Sequence, residues 1–258
     1  MNIATIQLSQ IQFFLLVFLR ITSIMMIVPV FDSRNIPIIF KLGLSFAVSI
    51  VLFPALDFDY FPAFTGLLPF ALGVAGEIML GVIIGLAVKL LFSGIQLAGQ
   101  IAGIQMGFGM SSVMDPNMGT QVSNIGQIFN LVALLMFLSI NAHHFFLRAI
   151  ADSFSMVPPL GFQFGNALIE YLITLTGNMF IIAVKTGAPI MAALLLTSVA
   201  FGLVARTVPQ MHIMIVAMPM KIAVGLLFLG ITLPYLSSYF IQIFNNLGRD
   251  IYMLLNAM

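Results

Sequence analysis

Few side chains in this sequence could do chemistry, and their spacing argues against most of it. His143 and His144 are adjacent, so on a helix they point about 100° apart and cannot chelate one ion together. His212 stands alone, with no carboxylate at a supporting spacing. Cysteine is absent, which excludes disulfides and thiolate metal sites. No G-x-S-x-G, H-E-x-x-H or phosphate-binding glycine loop occurs. The expectation is therefore a protein that is not an enzyme and needs no metal or cofactor, with the His pair serving as a polar end to an apolar run.

Four ionisable residues lie where water should be scarce. Arg20 sits inside the first apolar run, Glu77 and Lys89 inside the third and Lys185 within the fifth. A charge at membrane depth is costly and usually faces protein or a water-filled cavity. Two roles compete: proton or ion coupling, or structural pairing between helices. Glu77 and Lys89 are roughly three helical turns apart and cannot pair within one helix, so their partners lie elsewhere, on this chain or another. The sequence holds no chain of carboxylates of the kind a proton relay needs, which favours structural pairing.

Small residues mark where helices can approach closely. Gly81 and Gly85 form one G-x-x-x-G, and Gly99, Gly103 and Gly107 form a double one. The second runs into QIAGIQMGFGMSSVMDPNMGTQ, residues 100 to 121. Gln96, Gln100 and Gln105 bring amides that lipid would not satisfy, so this region should pack in protein or line an aqueous cavity. After it, Gly107, Phe108 and Gly109 are interleaved with Met106, Met110, Met114 and Met118, with Asp115 and Pro116 in the same stretch. Methionine is adaptable enough to fill an irregular gap and repack, and apolar constrictions can gate a pore by dewetting. Composition alone leaves two readings open: a pliable apolar plug, or a re-entrant turn that merely packs.

The elements that must position these residues are apolar helices. The chain of 258 residues is 61% hydrophobic and 7% charged, with a mean hydropathy of +1.16, against about 25% charged for a soluble domain. Apolar runs cover Leu8 to Val30, Ile36 to Leu56, Leu67 to Phe92, Ile125 to Ile140, Leu168 to Val204 and Met211 to Tyr239. A span takes about 20 residues, so the fifth run is long enough to bend back on itself. Pro189, Pro219 and Pro234 fall within the last two runs and are expected to kink or break them. In ARTVPQM, Pro209 should end a helix while Arg206 and Gln210 supply polar groups at a sharp turn, making a helical hairpin; an ordinary solvated loop is the alternative. The class is an all-α integral membrane protein of bent and broken helical hairpins, organised as one membrane-embedded domain over residues 1 to 258. The tail from Ser238 onward has apolar residues at mixed helical spacings and could lie along an interface or on a partner helix.

The net charge of +1 and the absence of like-charge runs give no support to nucleic acid or strongly acidic partners. The N-terminus lacks a basic region and a cleavage site, so the first segment reads as retained. Arg34, Lys41, Arg148, Arg206 and Arg249 are scattered too evenly to set an orientation.

Residues 99 to 119, GQIAGIQMGFGMSSVMDPNMG, and residues 202 to 222, GLVARTVPQMHIMIVAMPMKI, closely resemble the signature segments of the FliR family. That family is the flagellar branch of a group that also serves virulence-associated type III secretion. The order of apolar runs agrees over essentially the whole chain, and the pairing of the two segments is far more specific than either alone. The resemblance implies a subunit of a protein export gate that joins FliP and FliQ in a helical, pore-forming assembly, with FlhB nearby. It further implies a place in the flagellar basal body at the bacterial inner membrane, and unfolded rod, hook and filament proteins as substrates. By the same resemblance, residues 105 to 118 correspond to the family's plug. Two other readings compete: a small-solute secondary transporter, which also has broken helices and intramembrane charges, and a purely structural membrane scaffold. The sequence shows no pair of matching interrupted halves, which weighs against the transporter.

Overall fold

Each apolar run becomes a helix. The computed structural model describes residues 8–31, 36–56, 66–108, 123–207 and 213–258. Among them stand α1 (Leu8–Ile27), α2 (Ile38–Leu52) with a 3-10 turn at Phe53–Ala55, α3 (Leu67–Met106), α4 (Asn124–Ser139), α5 (Ala142–Met156), α6 (Asn166–Thr207) and α7 (Ile213–Asn256). Five of these are long and apolar enough to cross a membrane, and α4 with α5 would make a sixth, broken span. The break falls at Asn141, which is left-handed at φ 56°, a conformation asparagine tolerates better than most residues.

Two expectations about breaks are corrected. Pro189 lies inside the continuous 42-residue α6, and Pro219 and Pro234 lie inside the continuous 44-residue α7. A proline withholds one donor and crowds one carbonyl, and long apolar stretches on both sides can hold the helix together across that local loss. The third run also does not end at Phe92, because its helix continues to Met106 through the glutamine and glycine positions.

The chain divides into two compact units: Met1–Leu90, Asn141–Leu175 and Asn245–Met258 form one, and Leu91–Ile140 with Thr176–Phe244 form the other. In the first unit α1 buries Phe13, Leu16, Val17, Ile21 and Ile24, at helical spacing, so one stripe of a largely apolar helix faces protein. Leu168 and Leu175 of α6 share a core cluster with Leu254 of α7, Ile83 and Ala87, and Tyr171 donates to Asp250 Oδ1 at 3.2 Å. The start of α6 therefore meets the end of α7. Arg206 is exposed in the last turn of α6, while Pro209, Gln210 and His212 lie outside the described residues. The second unit is centred on Phe92, Phe137 and Phe244, whose ring centroids lie 5.2 to 5.8 Å apart.

Candidate functional site

Arg20 belongs to the buried stripe of α1 and Glu77 to the buried stripe of α3, at 0% and 2% exposure. They form a two-pronged ion pair: Nε donates to Glu77 Oε2, and Nη2 donates to Oε1 at 2.9 Å. The remaining donors go to the end of α5. Nη2 also donates to the Val157 carbonyl at 3.0 Å, and Nη1 donates to the Ser153 carbonyl at 3.0 Å and to Ser153 Oγ at 3.3 Å. A guanidinium has five N–H groups, and all are engaged here. The Phe154 ring lies 4.2 Å from the guanidinium carbon, a cation–π contact. The carbonyls that accept are at a helix C-terminus, where the dipole favours a cation; Ser153 also accepts from the Val157 N–H at 3.0 Å, whereas Val157 is the capping residue beyond the last turn.

For Arg20 and Glu77, whose partners the sequence left open between this chain and another, the partner is on this chain: they compensate each other. Nothing in the spacing showed it, since 57 residues separate them. Each Glu77 oxygen accepts from Arg20, so the arrangement ties α1, α3 and α5 together. Lys89 and Lys185, by contrast, are exposed on the chain's own surface. Gly81 and Gly85 permit the approach that closes the pair. A Cβ on Gly81 would lie 2.7 Å from the Arg20 carbonyl oxygen and Ser23 Cβ, and one on Gly85 would lie 2.8 Å from Ile27 Cβ.

The second glycine stripe works the same way in the other unit. A Cβ on Gly99 would lie 2.7 Å from Gly126 Cα, and Gly103 packs on the Ser123 side chain. These contacts cross α3 with α4. Gln100 lies half-buried beside Gly126, as an amide in this setting requires. The helix ends in a Schellman turn: Gly107 has φ +101°, its N–H bonds to the Ile104 carbonyl and the Phe108 N–H reaches the Gly103 carbonyl, both at 3.0 Å. Met106, one of the methionines of the stretch read as either a plug or a packed turn, is fully buried against Gly225 of α7. A flexible thioether opposite a missing side chain fills that gap without strain. Gln105 and Phe108 are exposed. Gly109, Met110, Met114, Asp115, Pro116 and Met118 lie outside the described residues.

Residues 11–247 match the family described as bacterial export proteins, family 1. The chain is 37% identical over 219 residues to the flagellar biosynthetic protein FliR of Bacillus subtilis (strain 168), covering 84% of each. The chain belongs to the FliR family. It is also 30% identical over 234 residues to FliR of Pectobacterium carotovorum subsp. carotovorum, with 88% and 87% covered. Against FliR of Escherichia coli (strain K12) the figure is 28% over 236 residues, covering 89% of each. The FliR match spans the Arg20–Glu77 clamp and both glycine crossings. Sequence reasoning missed the two Tyr–Asp bonds of the first unit, Tyr171 to Asp250 and Tyr252 to Asp152. Each joins residues more than a helix apart, and no local pattern announces them.

Proposed function

We propose that this FliR-family chain is a non-enzymatic subunit of the flagellar protein export gate, forming with FliP and FliQ the pore through which unfolded flagellar proteins cross the bacterial inner membrane. Its family is one of bacterial export proteins with flagellar relatives, so a role in flagellar protein export and a partnership within that apparatus follow, and its apolar helices belong in a membrane. One observation supports the finer reading. At 1.5 Å per residue, the helices of 42 and 44 residues are about 65 Å long, twice the ~30 Å hydrocarbon core. Only 17% and 11% of their most apolar windows are buried by the chain itself. A bilayer can cover half of such a helix, and protein must cover the rest. A multi-subunit gate supplies that cover, with FlhB adjoining it.

Within this reading residues 105 to 118 form the resting seal of the pore. Gln105 and Phe108 stand exposed where α3 stops, on a mount fixed by Gly99, Gly103 and the buried Met106. The test has two parts. Co-expression with FliP and FliQ should yield one co-purifying complex; a monodisperse lone chain that binds small solutes would overturn the gate in favour of a transporter. In cells without substrate in transit, deleting 109–118 or placing a charge at Met110 should raise ion conductance, because a wetted constriction no longer bars ions. Conductance equal to that of the unaltered gate would leave the segment as packing only.

A further inference from the structure

We propose that Met106 and Gly225 are positioning residues of the seal: seated against Gly225 on α7, Met106 fixes the end of α3 in the resting gate and during transport alike. This rests on the reading of residues 105 to 118 as that seal. A glycine on a buried face leaves a hole where a side chain would stand, and this hole is filled. Gly225 and Met106 are both buried, Met106 completely. The Met106 Cγ and Sδ lie 2.7 and 2.8 Å from where a Cβ on Gly225 would be. Met218, two helical turns earlier on α7 and so on the same side, lies 3.7 Å from the corresponding point on Gly107. One face of α7 therefore meets α3 at its last residue and just beyond it.

Burial decides whether the seat opens. Ala102 and Ala98, one and two turns before Met106, are also fully buried, so drawing Met106 out would disturb the packing of the whole end of α3. It would also empty the hole at Gly225, and an unfilled cavity is costly. A change in the course of the chain needs neither. Gly107 follows Met106 directly, already has φ +101°, and as a glycine accepts backbone angles closed to other residues. The change from buried to exposed side chains falls at the same place, with Met106 buried and Phe108 exposed.

Gly225→Leu fills the hole, and Met106 Cγ, at the root of its side chain, cannot swing clear as a tip can. In cells holding the assembled gate with no substrate in transit, this variant should raise ion conductance about as much as deletion of 109–118. Met106→Ala in the same chain should reverse most of that rise, because it makes room for the leucine. A leak from the deletion but none from Gly225→Leu would overturn the seat and leave the seal standing. A deletion that leaves conductance unchanged would bring down the seal reading, and the seat with it. A Gly225→Leu leak that Met106→Ala does not reduce would mean general damage and would also overturn the seat. A second measurement needs no added bulk. The chain has no cysteine, and the Cβ atoms of residues 106 and 225 would be no more than about 4.2 Å apart, within reach of a disulfide. Met106→Cys with Gly225→Cys should cross-link in most copies when membranes holding the assembled gate are oxidised, read on the purified chain as loss of thiol alkylation. Export by this double variant should be equal before and after oxidation, measured against the unaltered gate under the same oxidant. Failure to cross-link would overturn the seat, and export that stops on oxidation and resumes on reduction would show that the seat must open.

Discussion

Arg20 is the residue on which most of the first unit converges, because one side chain satisfies a carboxylate on α3 and two carbonyls at the end of α5. Removing one member of a buried, hydrogen-bonded pair strands the other charge, at a cost of about 3–5 kcal/mol in comparable sites. Arg20→Leu and Glu77→Leu should each sharply reduce the amount of chain that survives heating in a fresh detergent extract. The double variant should recover part of the loss, since no lone charge is then buried, although the Val157 carbonyl still lacks the Arg20 donor while Ser153 keeps the Val157 N–H. Strictly additive losses in that assay would show that the pair does not act as a unit. Arg20→Lys should not rescue, because an ammonium cannot grip two carboxylate oxygens and two helix-end carbonyls with one fork.

Two helix crossings in this chain depend on glycine. At Gly81 and Gly99 an added methyl would meet backbone at 2.7 Å, and backbone cannot swing aside as a side-chain tip can. Gly81→Ala and Gly99→Ala should each destabilise the chain by about 1–3 kcal/mol through forced separation of α3 from α1 or α4. Gly230, on α7, has nothing within 4 Å of the same hypothetical carbon. There alanine should be neutral or gain up to about 1 kcal/mol in the lone chain, the ordinary helix preference of alanine over glycine. Heat survival of the extracted variants separates the two classes, and similar losses at all three positions would contradict the crossing geometry. Continuous helix through Pro189, Pro219 and Pro234 belongs to this scale as well: one missing donor in a helix of more than forty residues is a local defect, not an end.

At the scale of the whole chain the surface is what needs explaining. Leu195, Leu196, Val199 and Leu203 on α6, and Ile215, Leu227 and Ile231 on α7, are exposed along helices too long for a bilayer to cover. The lone chain should therefore aggregate in mild detergent within the time of a purification, and co-expression with FliP and FliQ should raise its monodisperse yield several-fold. A stable, monodisperse lone chain would contradict this. The reason lies in exposed apolar length, since the buried charges of α1 and α3 satisfy each other.

Composition and run length by themselves determined the class. At 7% charged residues and a mean hydropathy of +1.16, apolar runs of about 20 residues or more give helices rather than barrel strands, because in lipid a helix satisfies its backbone within itself. Segment likeness carried the family, and the glycine spacings carried two of the close helix crossings. Only the tertiary structure decided which charges meet. Arg20 and Glu77 lie 57 residues apart on different helices, and local periodicity carries no information over such a distance. The same holds for Met106, whose neighbours in sequence suggest a pliable seal but whose side chain is buried by a glycine on α7, more than a hundred residues away. A helix fixes which residues share a face, and only packing decides what that face meets.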